Sequence, residues 1–321
     1  MINAARSRGS FLVTGADGFI GARSVRLLVA DGYRVRATDL PARPRRLCDV
    51  RDYIEYVPCD ISHGKKLESL VEDVDYVLHF AARGVIRRHG DTIDDLVKTN
   101  LLAAYYLIHA AGNRGVKKVV CAGSVFEYGY RQPWGHRENL GIDTAVSPIN
   151  VYGVTKAAAS LLVPHAGDEA GIETCVLRIF SPYGPGEPDS RFVSSLIRAA
   201  LQGEEFKMTK GEQIRDFCYV DDVVHAFIET AQIPAGEHRA FNLGTGRGLS
   251  LSDAARIILS VSGRDIPILT GAIPYRPNEA YRLVADPCTM EPYLRDCLKT
   301  SFEEGIRKTV DWMKTHEESR I

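Results

Sequence analysis

The chain has 321 residues, 45% of them apolar and 25% charged, enough for one large α/β unit or two joined domains around a true core. Its 40 Lys and Arg nearly balance 41 Asp and Glu, so no basic excess points to nucleic acid or to an anionic membrane surface. The seven cysteines (Cys48, Cys59, Cys121, Cys175, Cys218, Cys288 and Cys297) are odd in number and hold no C-x-x-C pair. They suggest neither a disulfide framework nor a metal site, and are expected as buried free thiols.

The polar stretch Met1 to Ser10 has no signal-peptide core, and no apolar run approaches the roughly 18–20 residues of a membrane span, so a cytoplasmic protein is expected. Phe11–Thr14 reads as a strand, followed by Gly15-Ala-Asp-Gly18-Phe-Ile-Gly21 and a helical pattern from about Phe19 to Asp31 that Gly32 stops. Glycines at this spacing let the backbone turn sharply and approach a pyrophosphate. Free N–H groups at the helix start then meet its charge, which places Gly15, Gly18, Phe19, Ile20 and Gly21 against a dinucleotide. Arg34–Thr38 is a second strand. Asp39 ends it, 18 residues after Gly21. A carboxylate there accepts both ribose hydroxyls of NAD and repels the 2′-phosphate of NADP, although Arg43, Arg45 and Arg46 leave NADP open. Tyr53–Val57 is expected as a third strand, with Asp60 and Ile61 behind it either facing the adenine or forming an ordinary loop. Tyr76–Phe80 is a fourth strand, Thr92 to Asn113 a long helix and Lys118–Ala122 a fifth strand. A helix from about Tyr152 to Ala170 carries Pro164, expected to kink or end it, and Glu173–Ile179 is a sixth strand. Such alternation predicts an α/β fold with a doubly wound parallel sheet.

After Ile179 the rhythm breaks. A Pro- and Gly-rich loop over 181–190 is followed by a helix at Arg191–Gln202, short strands, a helix near Asp222–Ala231, a strand at Ala240–Leu243 and a helix from about Ser252. The expected division is a dinucleotide-binding domain over 1–180 plus about 212–245, and a smaller C-terminal substrate-binding domain over 181–211 and 246–321. Ligands of doubly wound sheets bind at the carboxyl ends of the strands.

Tyr152-Gly-Val-Thr-Lys156 puts a phenol and an ammonium one helical turn apart. The lysine charge favours the phenolate, so Tyr152 can take a proton from a hydroxyl as hydride leaves the same carbon. Ser124, just beyond the fifth strand, can hydrogen-bond the reacting oxygen; as a structural residue it would be a turn serine. His79 is expected to be a core histidine.

The chain resembles extended short-chain dehydrogenases/reductases of the NAD-dependent epimerase/dehydratase family. The resemblance covers nearly all of it: GADGFIG (15–21), His79-Phe-Ala-Ala82, the Ser124 segment, Ser147-Pro to Tyr152-Gly and Lys156, Arg178 to Pro185, Arg215 to Asp222, Asn242 to Gly246, and Arg276-Pro-Asn-Glu279. It implies a Rossmann domain that binds NAD, with NADP as the alternative, and a nucleotide-diphosphate sugar as substrate. By this likeness Ser124, Tyr152 and Lys156 are catalytic, and Ala81, Ala82, Tyr152, Lys156 and the 179–182 backbone meet the cofactor. Arg215 and Arg276 contact the diphosphate, Phe206 lies against the nucleobase, and Ser124, Val125, Phe126 and Ser181 face the sugar. As a structural residue, Arg215 would instead pair with Asp216.

The similar 4,6-dehydratases carry an acid pair directly after the catalytic hydroxyl, where this chain has Val125 and Phe126, so elimination is disfavoured. Glu127, one position on, is either a register variant of that acid or a solvated or hydrogen-bonded loop carboxylate. Ser181 replaces the asparagine common in the family. The leading expectation is 4-epimerisation with retained NAD. The alternatives are reduction of a 4-keto-6-deoxy sugar by NAD(P)H and, from another class, a dinucleotide sensor without catalysis, which would be expected to lack Tyr152 or Lys156. The stretch Leu101–Ala111 is apolar nearly all round and, with the 157–163 helix, is expected to form a two-fold homodimer interface.

Overall fold

A computed structural model describes residues 8–64, 66–84, 90–129, 138–234, 239–276 and 279–317. Met1–Ser7 of the polar N-terminal stretch and Pro277–Asn278 of the Arg276–Glu279 segment lie outside these. The chain forms two compact units: residues 1–128, 146–178 and 224–241, and residues 129–145, 179–223 and 242–321.

The first unit is built on strands β1 (Ser10–Thr14), β2 (Arg34–Thr38), β3 (Glu55–Tyr56), β4 (Tyr76–His79), β5 (Lys118–Ser124) and β6 (Glu173–Ile179). The seven-stranded sheet has the order Ala240–Leu243, β6, β5, β4, β1, β2, β3. The β1–β2, β1–β4, β2–β3 and β4–β5 pairs are parallel. All five residues of β1 are buried, as a central strand covered on both faces requires. Strand order reverses between β1 and β4, the position at which doubly wound sheets open a crevice. One layer of the core packs Leu12, Val77, Val119 and Val176 of the sheet against Leu107, Ile108 and Val163 of the helices.

Three elements differ from expectation. The third strand ladders only over Glu55–Tyr56, and Cys48–Tyr53 is a 3₁₀ turn. The long helix has three parts, α over Ile93–Val97, π over Lys98–Leu102 and α over Ala103–Asn113. The helix Val151–Ala170 runs through Pro164 without ending. Side chains outside it supply donors beside the proline, Thr174 Oγ1 to Val163 O and Arg239 Nη1 to Pro164 O, each at 3.2 Å. Of the cysteines, all free, only Cys121, Cys175 and Cys218 are buried; Cys48 and Cys288 are exposed. Those three lie on strands, whereas Cys48 and Cys288 lie in short polar turns.

In the second unit, Ile214–Tyr219 pairs antiparallel with Gly248–Ser250 and parallel with Ser181–Tyr183 and Arg282–Leu283. Phe206–Met208 pairs parallel with Ile268–Thr270. Helices Phe192–Gln202, Leu251–Ser262 and Phe302–Glu317 bury Leu196, Ile197, Ile258, Ile306 and Val310 in one cluster. Among the described residues no helix is long and apolar enough to cross a membrane, and no cluster of His, Cys, Asp and Glu is suited to a metal ion.

Candidate active site

The loop after β1 is shaped by contacts that only glycine tolerates. Gly15 has φ +65°, and a Cβ there would lie 2.7 Å from Ala81 N, in the segment after β4. A Cβ on Gly21 would lie 2.1 Å from Gly15 O. The helix Phe19–Ala30 starts at Gly18 with no side-chain cap and no acidic residue in its first turn, so its N-terminus stays open to an anion. Asp39 faces back to this loop: Oδ2 accepts Asp17 N at 2.9 Å and Oδ1 accepts Leu40 N at 2.7 Å. Each carboxylate oxygen keeps lone-pair capacity for a ribose hydroxyl. The arginine-rich segment is tied to the same loop through Arg46 N, which donates to Asp17 Oδ1 at 2.7 Å. Asp60 caps the turn Ile61–His63, accepting Ser62 N and Oγ at 2.9 and 2.6 Å, and Ile61 is in the core cluster. Ala81 is partly buried and Ala82 exposed. A close-approach glycine cradle, an open helix N-terminus and a carboxylate beyond β2 together fit a dinucleotide.

At the end of β5, Ser124 caps the 3₁₀ turn Val125–Glu127, its Oγ accepting Phe126 N at 3.3 Å. The helix carrying Tyr152 and Lys156 packs on this turn. A Cβ on Gly153 would lie 2.4 Å from Phe126 O, and the Phe126 and Tyr152 rings meet edge-on at 6.1 Å. Asn150 Oδ1 caps that helix by accepting Gly153 N at 2.8 Å. The segments bearing Ser124, Tyr152 and Lys156 are thus in direct contact. Lys156 is buried, and its charge is felt by residues on two strands. Burial, aided by Lys156, holds His79 down to about 3. Burial pushes the Cys121 thiol up to about 12 against the pull of Lys156. His79 is a neutral core residue whose Nδ1 meets Thr14 Oγ1 at 2.7 Å.

Asn100 was not singled out from the sequence. It is buried within the π turn, and its Nδ2 lies 3.0 Å from both Thr155 Oγ1 on the Tyr152 helix and Arg83 O beyond β4. Its Oδ1 accepts Arg83 N at 2.8 Å. The available signal was an amide at the start of the apolar stretch Leu101–Ala111. Of the structural readings of Glu127, the hydrogen-bonded carboxylate holds and the solvated one does not. Glu127 is fully buried and paired with Arg178 Nε at 2.8 Å. The pairing was invisible in the sequence because Arg178 lies 51 residues away.

In the second unit, Arg215 pairs with Glu279 (Nη2 to Oε1, 2.7 Å) and not with Asp216. The Asp216 carboxylate is filled by Thr245 N and Oγ1, Gly246 N and Ala285 N, at 2.5 to 3.1 Å. Burial and the nearby charge of Arg276 push the Arg215 guanidinium below its usual range, against the pull of Glu279. Two guanidinium groups close enough for the charge of one to act on the other suit a multiply charged anion. Ser181 lies on the strand beside Phe217, and Phe206 packs near Phe192 with ring centroids 6.1 Å apart.

The sequence profile of the NAD dependent epimerase/dehydratase family matches residues 11–244. The chain belongs to that family. A UDP-glucuronate 4-epimerase of Thermodesulfobacterium geofontis is 29% identical, covering 95% of this chain and 96% of its own. A dTDP-glucose 4,6-dehydratase of Mycobacterium tuberculosis is 28% identical, covering 95% and 93%. Among solved structures, MoeE5 in complex with UDP-glucuronic acid and NAD is 30% identical with TM-score 0.81, covering 96% of this chain and all of its own. The UDP-glucose 4-epimerase of Thermotoga maritima is 25% identical with TM-score 0.85, covering 96% and 99%. The Rossmann-like fold, the NAD dependence and the sugar-nucleotide enzyme class of the epimerase/dehydratase family therefore apply to this protein.

Proposed function

We propose that the protein is an NAD-dependent 4-epimerase of a nucleoside diphosphate sugar. The observation that carries this reading is the turn beyond Ser124. Val125 is buried and apolar, Phe126 is apolar, and Glu127 is sequestered with Arg178. That turn offers no free acid for elimination, whereas epimerisation needs only a base, a hydroxyl partner and hydride return.

The glycine cradle over 15–21 and Asp39 would hold NAD, whose nicotinamide takes a hydride from the sugar carbon and later returns it. Gly18, Phe19, Ile20 and Gly21 would face its pyrophosphate, and Asp60, Ile61, Ala81 and Ala82 would line its path. Tyr152 Oη takes the proton of the 4-hydroxyl, with the buried Lys156 one helical turn away on the same face. Ser124 Oγ hydrogen-bonds the same oxygen through the step. In the second unit Arg215 and Arg276 would hold the diphosphate, Phe206 would meet the base and Ser181 would border the sugar. UDP-glucuronic acid and UDP-glucose, the sugar nucleotides of the MoeE5 complexes, are the first candidates. Protein denatured after purification should release about one NAD per chain. A Tyr152→Phe variant should keep that NAD and lose roughly 10²–10⁴-fold in turnover. An empty site, with NADPH consumed only on adding a keto sugar, would point to a reductase instead.

We propose further that the protein is a homodimer. Val154, Leu161 and Tyr106 are 50%, 62% and 37% exposed on the two helices that form the outer face of the first unit. A second copy would cover this face by two-fold packing.

A further inference from the structure

The turn after β5 holds a buried carboxylate that the proposed mechanism does not use. Glu127 Oε1 accepts Ser124 N at 2.7 Å, and Oε2 meets Arg178 Nε of β6 at 2.8 Å. Arg178 Nη1 donates to Tyr128 Oη at 2.9 Å, and the guanidinium stands 5.1 Å from the centre of the Tyr128 ring. Gly123 makes room for the pair. A Cβ there would lie 2.9 Å from Glu127 Oε1 and 3.0 Å from Arg178 Cγ. The same turn receives the segment that leads to the Tyr152 helix, since Ser147 N donates to Glu127 O and Tyr128 O, both at 3.1 Å. Phe126 O, in the middle of the turn, is the atom against which Gly153 of that helix is packed.

Resting on the reading of Ser124 and Tyr152 as the reacting pair, we infer that Glu127 and Arg178 are positioning residues that fix the Ser124 hydroxyl relative to Tyr152. Two buried charges are a costly way to fill a core, and an apolar pair of similar volume fills it at less cost in desolvation. What the charges add is direction. A carboxylate held by a guanidinium on β6 presents one oxygen to the Ser124 N–H, so the strand end stops at one register. Burial pushes the Glu127 carboxyl up, while Arg178 and the Ser124 N–H pull it down. The Arg178 guanidinium is held above its usual range by Glu127 and Tyr128, despite its own burial. The pair acts through Ser124 and touches no reacting atom.

The test is a double-mutant cycle on the full chain. Glu127→Gln keeps an acceptor for the Ser124 N–H and breaks the ion pair. Glu127→Leu/Arg178→Met removes both charges and leaves none unpaired, which protects the fold. Each should lower kcat, the double variant by about 10²-fold, with KM for the sugar nucleotide and bound NAD unchanged. In a Ser124→Ala background the same changes should cost less than about 3-fold, because the effect is carried by that hydroxyl. An equal loss in both backgrounds, or an unchanged kcat, overturns the inference. Amide hydrogen exchange at Ser124, which needs no substrate, should speed up at least about 10-fold in the double variant; an unchanged rate also overturns it. Wild-type protein that turns over no sugar nucleotide would defeat the proposed reaction alone, and the exchange rate would still decide the clamp.

Discussion

Gly21 is the residue with the least room for change. A methyl group there would sit 2.1 Å from Gly15 O, closer than any non-bonded contact, so the loop must open. Gly21→Ala should therefore carry roughly 10-fold less NAD, about 1.4 kcal/mol of affinity, as read from dinucleotide released on denaturation. A full complement of NAD would separate this glycine from the cofactor. Gly15 and Gly21 were legible in the sequence because a strand, a turn and a helix surround them, and that context leaves only one backbone path. Glu127 was not, because its environment is set by Arg178, a residue on another strand. The same holds for Arg215: sequence adjacency suggested Asp216, but alternating strand residues point to opposite faces, and the carboxylate that reaches it is Glu279.

The helix Phe192–Gln202 shows how an element can depend on pH through one buried group. Glu187 Oε2 accepts Ser194 N at 3.0 Å and Ser194 Oγ at 2.7 Å, satisfying a donor of the first turn. Burial nevertheless pushes its carboxyl up from 4.5 to about 7, with Ser194 and Arg191 pulling the other way. Between those values the folded chain binds more protons than the unfolded one. Stability from this group is present below pH 4.5 and is lost as pH rises through 7. Glu187→Gln does not titrate, so its Tm advantage over the wild type should grow from pH 5 to pH 8, by up to roughly 3 kcal/mol of stability. A constant difference would place Glu187 in a more polar setting. At this scale the periodicity of the sequence located most strands and helices, and missed what depends on tertiary partners. The π turn forms where Asn100 bonds inward to Arg83 and Thr155, an insertion that apolar spacing does not encode. The helix continues through Pro164, with Val163 and Ala166 held in the core cluster and side chains outside the helix bonded to the Val163 and Pro164 carbonyls.

The seven-stranded order places the Gly15 loop and the Ala81 segment on adjacent strands, and the Ser124 turn one strand further on. Three stretches distant in sequence thereby reach the carboxyl edge of one sheet, the edge that alternation of strands and helices singles out for ligands. The exposed apolar face is the complementary feature. Leu161→Glu would put a charge in the centre of the proposed interface, so sedimentation at micromolar concentration should show wild-type dimer and variant monomer, with NAD content unchanged. Wild-type monomer would leave that face without a second copy.

The central claim is a closed redox cycle at one sugar carbon, and it is tested most directly with a sugar nucleotide carrying deuterium at C4. With no added dinucleotide, UDP-glucuronic acid or UDP-glucose so labelled should yield its 4-epimer with the deuterium still at C4. A 4-keto or 6-deoxy product, or turnover that requires NADPH, would contradict the account.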